Sequence, residues 1–286
     1  MNYMQIAATE NTIYTSPDAS KIFCYTPSII VTPTGRLIVS FDLGGEGVKS
    51  IEGHKSSRAG GSRFGQGKIF ISDDNGQKWT FVQNFPFWHA RLFTIGNSIY
   101  LIGHAGDICI MKSEDNGESW SDTYFLTHGE KWHSSACNVL FSNGNVYLAM
   151  EQRCRLNEVT GWDVAGLSPT LFRACVEDNL CLASSWSRSE KFIYKEVFDG
   201  AKLDFFGIPF YDCETNKPKE IATGINNAPL GWLEANVVKF VDKDHIWHTD
   251  LKEVFHLFLR AHTGGVNYAH PVSYTHLRAH ETTLHL

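Results

Sequence analysis

The octapeptide SDDNGQKW occupies Ser72–Trp79, and SEDNGESW, a close copy, occupies Ser113–Trp120. The shared pattern is Ser-x-Asp-x-Gly-x-x-Trp. Each copy follows a strand-like run, GKIFI or DICIMK, and precedes another, TFVQNF or SDTYFL. Turn residues between two such runs predict a hairpin connection between adjacent strands.

The residue types suit a hairpin better than a reaction centre. In both copies the Asp side chain can accept hydrogen bonds from turn N–H groups, and the Gly supplies a positive φ. The Trp gives the next strand a large apolar anchor. A period of about 40 residues is typical of propellers and solenoids, whereas a catalytic site is rarely duplicated at a fixed period. The predicted structural residues are Ser72, Asp74, Gly76, Trp79, Ser113, Asp115, Gly117 and Trp120.

Both octapeptides match the Asp-box (BNR) motif of the sialidase-type β-propellers. The strand rhythm also resembles that family from about Phe23 to Tyr268. The resemblance implies an all-β, sialidase-like β-propeller with Asp-boxes on its outer rim, away from a bound sugar. A propeller blade is a four-stranded antiparallel sheet, and about three and a half of an expected six blades are readable here.

The blade reading divides the chain into three parts. Residues 1–22 form a lead-in, residues 23–270 a partial propeller, and residues 271–286 a non-native tail. LCLASSWSRSEKF, Leu180–Phe192, is interpreted as a decayed third box, and Ser168–Glu177 is the short helical alternative.

The tail prediction rests on its sequence. PVSYTHLRAHETTLHL carries His276, His280 and His285, continues no strand rhythm, and resembles a translated sequencing adapter. A native polar tail or a metal-binding His tract are the alternatives. We therefore expect native sequence to stop near Ala269, the parent protein to be longer, and the 286-residue chain by itself to be inactive.

Composition excludes some partners. A net charge of −6 offers no basic stripe for nucleic acid. No stretch reaches the roughly 18 apolar residues of a membrane helix. The start lacks a readable signal peptide, which predicts a cytoplasmic protein, with secretion or a periplasmic location left open if the N-terminus is incomplete. Seven cysteines without a C-x-x-C pair predict buried free thiols rather than a disulfide framework.

The candidate site follows from the blade geometry. Residues just before each innermost strand converge at one face of a propeller, which makes that hollow the default site. These positions hold Tyr25-Thr26, Trp88-His89, Trp132-His133 and Leu233-Glu234. His89 and His133, in equivalent Trp-His dipeptides, suit proton transfer. Arg91 follows His89 by two and points the same way along the strand. Glu151 and Arg153 are lower-ranked neighbours.

The resemblance adds a role for two residues. In sialidases a Glu that opens an inner strand is followed one strand later by an Arg that grips the sugar carboxylate, and Glu234 and Arg260 look like that pair. We predict Glu234, His89 and His133 as catalytic, and Arg260, Arg91 and Tyr25 as substrate-binding. Packing or solvent-exposed roles remain the simpler alternative for each.

Three functions fit these residues. The first is a carbohydrate-active enzyme, an exo-acting, sialidase-like glycoside hydrolase on a terminal or acidic sugar. The second is a polysaccharide lyase on uronate-containing glycans, because His, Arg and Tyr suit proton abstraction beside a carboxylate. The third is a carbohydrate-binding propeller without catalysis, favoured because Thr26 stands where sialidases carry an Arg, and the Gly44–Gly67 loop contains no Asp. No cofactor and no metal is predicted; the spacing of His245 and His248 suits neither face of a strand.

Overall fold

The computed structural model describes residues 10–57, 64–134, 138–154, 167–193, 231–251, 254–262 and 272–274. Within these ranges the chain forms antiparallel β-sheets and two short 3-10 helices. The predicted all-β, propeller-type fold is confirmed at the level of its sheets, because they have the meander topology of blades.

The first sheet follows the order predicted for blade one. Its strands run β1-β2-β4-β5, and a short β3 pairs with the outer side of β4. The strands are β1 (Phe23–Val31), β2 (Leu37–Gly44), β3 (Ser56–Ser57), β4 (Phe64–Ser72) and β5 (Thr80–Phe85). The long loop predicted between β2 and β4 contains a 3-10 helix over Glu46–Ser50.

The second sheet has four strands in chain order. They are β6 (Trp88–Ile95), β7 (Ser98–Ala105), β8 (Asp107–Ser113) and β9 (Tyr124–Phe125). The predicted turn at Gly96-Asn97 joins β6 to β7, and Gly96 has a φ of 57°. A positive φ at this tight turn explains the glycine.

The third sheet is built around one long central strand. β12 (Asn145–Arg153) pairs on one side with β10 (Trp132–His133) and β11 (Leu140–Ser142). On its other side are β13 (Leu167–Cys175) and then β14 (Trp186–Arg188).

The helical alternative for Ser168–Glu177 is wrong. The segment lies mostly within β13, which pairs with β12 along its whole length from Leu167 to Cys175. Most of β13 is buried, so cross-strand pairing outweighs its weak helical pattern.

The fourth sheet contains β15 (Gly231–Val238), β16 (His256–His262) and β17 (Val272–Tyr274). They lie in the order β15-β16-β17. β17 falls within the predicted non-native tail and pairs with Phe258–Arg260 of β16. The predicted domain boundaries remain predictions.

The chain divides into two compact units. The first comprises residues 1–105 and 109–124, and the second comprises 106–108 and 125–286. In the first unit, Ile38 and Ile69 of the first sheet pack with Leu92 and Leu101 of the second. In the second unit, Tyr147 and Ala149 pack with apolar residues of the fourth sheet, Ala235, Val237, Leu257 and Leu259.

The two octapeptides form equivalent turns after β4 and β8. In the first, the Ser72 Oγ accepts the N–H of Gly76 at 2.9 Å and donates to Asp74 Oδ1 at 2.9 Å. In the second, Ser113 bonds to Gly117 and Asp115 in the same way, both at 2.9 Å.

The tryptophans close these turns. The indole N–H of Trp79 donates to the Gly76 carbonyl at 3.0 Å, and that of Trp120 to the Gly117 carbonyl at 3.3 Å. In the segment interpreted as a decayed box, Trp186 donates to the Leu180 carbonyl at 2.9 Å. The third sheet therefore also has an indole-to-turn bond, although its sequence does not contain the octapeptide pattern.

None of the described cysteines forms a disulfide bond. Their predicted burial holds for Cys109 and Cys181, but Cys24 and Cys154 are exposed. No helix within the described ranges is long and apolar enough to cross a membrane.

Candidate functional site

Three innermost strands carry a bulge at the positions that the sequence singles out. The strand pairing shifts register after Tyr25 in β1, after Trp88 in β6 and after Leu233 in β15. Each bulge holds one non-glycine residue with positive φ: Thr26 at 50°, His89 at 52° and Glu234 at 61°.

Such backbone is strained. Positive φ is uncommon outside glycine, and for a β-branched residue such as Thr26 it is an outlier. Strain of this kind clusters at functional sites, where surrounding contacts maintain it. Two of the predicted catalytic residues, His89 and Glu234, therefore lie where the backbone turns a side chain away from the regular pleat.

In the first unit, the His89 bulge is held from β2. The backbone N–H of His89 donates a hydrogen bond to Asp42 Oδ2. Asp42 is fully buried. The His89 ring is tied to a second histidine, because its Nδ1 lies 3.1 Å from Nε2 of the buried His104. His89 and His104 therefore form a hydrogen-bonded imidazole pair.

Burial controls the charge of Asp42. Desolvation raises its pKa to about 8, against the opposing effects of the His89 and Ala90 N–H groups, the Arg91 charge and the Thr26 hydroxyl. A carboxyl group with such a pKa carries its proton near neutral pH.

Arg91 lies inside the protein. It is 8% exposed, and its Nη1 donates to the Ala90 carbonyl at 3.0 Å. Its charge also acts on Asp42. Its predicted role in gripping substrate stays a prediction, and its burial favours an electrostatic role beside Asp42.

Tyr25 is the exposed member of the first unit's set. It is 48% exposed and lies opposite Asp42 in the β1–β2 register. Its ring covers Gly44, where a Cβ atom would lie 2.6 Å from the Tyr25 Cε2. An accessible aromatic face beside a glycine suits stacking on a sugar ring.

In the second unit, one carboxylate links two of the predicted catalytic positions. Glu151 is 1% exposed. Its Oε2 lies 2.6 Å from His133 Nδ1, and its Oε1 accepts the N–H of Ala235 at 2.9 Å. Because Ala235 directly follows Glu234, Glu151 connects the His133 imidazole with the bulge that carries Glu234.

The predicted Glu234–Arg260 pair lies on adjacent strands. Arg260 stands opposite Leu233, the residue before Glu234, in the β15–β16 register. Glu234 is half-buried, whereas the Arg260 side chain lies outside the described part. Its predicted carboxylate-binding role stays a prediction.

Sequence reasoning missed Asp42 and His104 and ranked Glu151 low. A signal was present in the second strands, because each is an apolar run that ends in a titratable or charged residue. The runs are LIVSFD ending at Asp42, IYLIGH at His104, VYLAME at Glu151 and HLFLR at Arg260.

The first octapeptide turn lies at the opposite end of its strand ladder from Asp42. In the β2–β4 register Ser72 pairs with Leu37, whereas Asp42 pairs with Gly67 at the other end of the same ladder. Among the described residues, no three His, Cys, Asp or Glu side chains group closely enough to hold a metal ion.

No protein-family model matches the chain, and no curated protein matches it. Among solved structures, it is similar to an α-L-arabinanase of Penicillium chrysogenum complexed with arabinobiose, with 13% identity and a TM-score of 0.44, covering 87% of this chain and 65% of that one. It is also similar to an α-L-arabinofuranosidase from Lactobacillus brevis, with 13% identity and a TM-score of 0.49, covering 91% and 71%.

A third similar structure is a polysaccharide lyase, the PL25 ulvan lyase bound to a GlcA(1-4)Rha3S glycan. It shares 16% identity at a TM-score of 0.40, covering 57% of this chain and 40% of the lyase. All three TM-scores lie below 0.5. The sialidase resemblance of the two octapeptides stays a prediction.

Proposed function

We propose that the whole protein is a carbohydrate-active enzyme, an exo-acting, sialidase-like glycoside hydrolase on a terminal or acidic sugar. The observation that supports it is the contact set of Glu151, which joins the His133 imidazole to the strained bulge of Glu234. A buried acid, a partly accessible imidazole and a second carboxyl group thus belong to one constellation.

The geometry gives each group a role. Glu151 holds the His133 ring through Nδ1, and the imidazole would transfer a proton near neutral pH. The His133 side chain is 13% exposed and the Glu151 side chain is 2% exposed, so the imidazole is the more accessible partner. Glu234, held in a left-handed bulge, would act as base or activate a nucleophile. Arg260, one strand later, would bind a substrate carboxylate in two-point fashion.

Hydrolysis tests the proposal on the longest reading frame that contains this sequence. A panel of fluorogenic glycosides with and without a sugar carboxylate would be compared. We expect turnover that falls about 10²- to 10⁴-fold in both His133→Gln and Glu234→Gln, the usual range for a lost acid–base group. The exposed His128 provides the matched control, and His128→Gln should retain activity.

Two results would overturn the proposed hydrolase function. Full activity in both His133→Gln and Glu234→Gln would remove this constellation from the chemistry. Glycan binding on an array, without turnover of any glycoside, would instead support the non-catalytic propeller.

The lyase alternative has an observation of its own in the first unit. The His89–His104 pair can pass a proton between its rings, and Arg91 lies near Asp42 beside it. A lyase would remove the proton next to a uronate carboxylate, break the glycosidic C–O bond at the adjacent carbon and release the neighbouring sugar as an alcohol. The uronate left behind is unsaturated and absorbs in the near ultraviolet. A rise of that absorbance, abolished by His89→Gln, selects the lyase, and hydrolysis without it selects the hydrolase.

A further inference from the structure

We propose that Asp42 and Glu151 are positioning residues that hold the left-handed bulges carrying His89 and Glu234, each by accepting a backbone N–H from the bulge of the next sheet. The catalytic meaning of these contacts rests on the proposed function. The contacts themselves do not.

A bulge creates a need for such an acceptor. Where β6 and β15 shift register, their backbone N–H groups lose ladder partners. A buried N–H without an acceptor costs about as much as a lost hydrogen bond. Each bulge is followed by a buried alanine, Ala90 in β6 and Ala235 in β15, and an acid from another sheet supplies the acceptor oxygen.

The first unit shows one solution. Asp42 lies on β2, fully buried, and its Oδ2 accepts the N–H of His89 on β6. His89 has a φ of 52°, and its ring meets His104. Fixing this N–H fixes the backbone that aims the His89 ring.

The second unit repeats the solution with different residues. Glu151 lies on β12 and is 1% exposed, and its Oε1 accepts the N–H of Ala235 on β15 at 2.9 Å. The preceding residue, Glu234, has a φ of 61°. The same arrangement thus occurs in each of the two compact units. In each, an acid near the end of a sheet's second strand accepts an N–H from the bulge in the first strand of the following sheet. The recurrence argues against chance packing.

Nuclear magnetic resonance on the 286-residue chain tests the contacts directly. Asp42→Leu and Glu151→Met remove the acceptor at similar size, whereas Asp42→Asn and Glu151→Gln keep an acceptor oxygen. We expect Asp42→Leu to speed amide hydrogen exchange at His89 about tenfold, and Glu151→Met to do so at Ala235, since a net hydrogen bond is worth roughly that factor. Each effect should be absent at the other bulge and largely rescued in the amide variants.

The matched controls are Asp18→Leu and Glu130→Met, which alter acids outside both bulges. They should leave the two exchange rates unchanged. Should Asp42→Leu fail to fold, the wild-type chain still gives an answer. A scalar coupling across the hydrogen bond, from the His89 amide nitrogen to the Asp42 carboxyl carbon, must be present.

Absence of that coupling, or equal acceleration of both amides in every variant and control, would overturn the inference. The catalytic effect of the Glu151 contact is measured separately, as kcat and KM of the active parent protein. Glu151→Met should lower kcat and leave KM within about twofold, as expected for a group that acts on the transition state. An unchanged kcat beside a changed exchange rate would uphold the contacts and reject the function proposed for the bulge residues.

Discussion

At the residue scale, the chemistry concentrates where apolar second strands end. Asp42, His104 and Glu151 each close such a run, and each is nearly fully buried. Burying an ionisable group is costly unless it is paired or neutralised. Glu151 is paired with His133 and a backbone N–H, whereas Asp42 is driven toward its protonated form.

Asp42 should therefore make stability depend on pH. Its pKa is raised to about 8 in the folded protein, against about 3.9 in an unfolded chain. Between these values the folded state binds more protons than the unfolded state, so the free energy of unfolding falls as pH rises. The slope is at most about 1.4 kcal/mol per pH unit for one proton.

The measurement is urea unfolding of the wild-type chain and of Asp42→Asn from pH 4 to pH 9. Asparagine imitates the neutral acid, so the stability difference between variant and wild type should grow in favour of the variant as pH rises. Above the folded pKa of about 8 it should level off. Parallel curves for the two proteins would contradict a buried Asp42 with a raised pKa.

At the element scale, the octapeptide is a self-contained turn that the chain uses twice. The same serine, aspartate and indole bonds recur in both copies. Arg36 adds a link between the copies, because it forms a two-point ion pair with Asp73 at 2.6 Å and 2.9 Å, and bonds to the Asn116 carbonyl and to Glu118, both at 3.2 Å. The turns are therefore structural parts that also join neighbouring sheets.

Removing the turn serine should destabilise the fold. Ser72 is 2% exposed, and Ser72→Ala leaves the buried Gly76 N–H without its acceptor. The expected loss is about 1–3 kcal/mol in the free energy of unfolding. Ser113→Ala should cost a similar amount, because its bond to Gly117 has the same length of 2.9 Å.

Ser20 provides the control, because it is an exposed serine that bonds to an aspartate outside both turns. Ser20→Ala should change stability by less than about 0.5 kcal/mol, as surface substitutions do. Equal losses in Ser20→Ala and Ser72→Ala would mean that the octapeptide serine has no special role in the turn.

At the scale of the whole molecule, the chain is a succession of antiparallel sheets grouped in two compact units. Each unit has an apolar cluster shared between sheets. At the C-terminal end of the chain, the sequence prediction and the structure differ. The sequence predicts a foreign tail, and the structure pairs Val272–Tyr274 with β16.

Truncation distinguishes a foreign tail from an integral strand. Within the described residues, removing residues 271–286 takes away a three-residue strand at the edge of its sheet. Since a foreign tail would be dispensable, we expect the free energy of unfolding, measured by urea unfolding, to fall by no more than about 1 kcal/mol, the net worth of about one hydrogen bond. A truncation after Tyr274 keeps β17 and serves as the control. A loss of several kcal/mol confined to the longer truncation would show that Val272–Tyr274 is an integral strand of the fold.

The fold was predictable because its signals are local. Strand alternation and turn residues act within a few positions, so the β1–β2 and β6–β7 hairpins follow from their own sequences. The octapeptide turn is also local, since its bonds join residues four or fewer apart. The sequence also predicts His89 and Glu234 as site positions at the start of their strands, whereas their bulges are seen in the strand pairing.

The site was predictable only in part, because its contacts join distant parts of the chain. Asp42 reaches His89 across 47 positions, and Glu151 reaches Ala235 across 84. No local pattern says which acid meets which bulge.

The sequence by itself thus determined an all-β chain of repeated hairpins with His89, His133 and Glu234 at the openings of their strands. Only the tertiary structure decided that Asp42 is buried and bonded to His89, and that the His104 ring pairs with the His89 ring. It also decided that Glu151 links His133 to the Glu234 bulge. The physical reason is that turn and strand preferences are set by neighbours in sequence. Burial, pKa shifts and side-chain pairing are set by which sheets pack together.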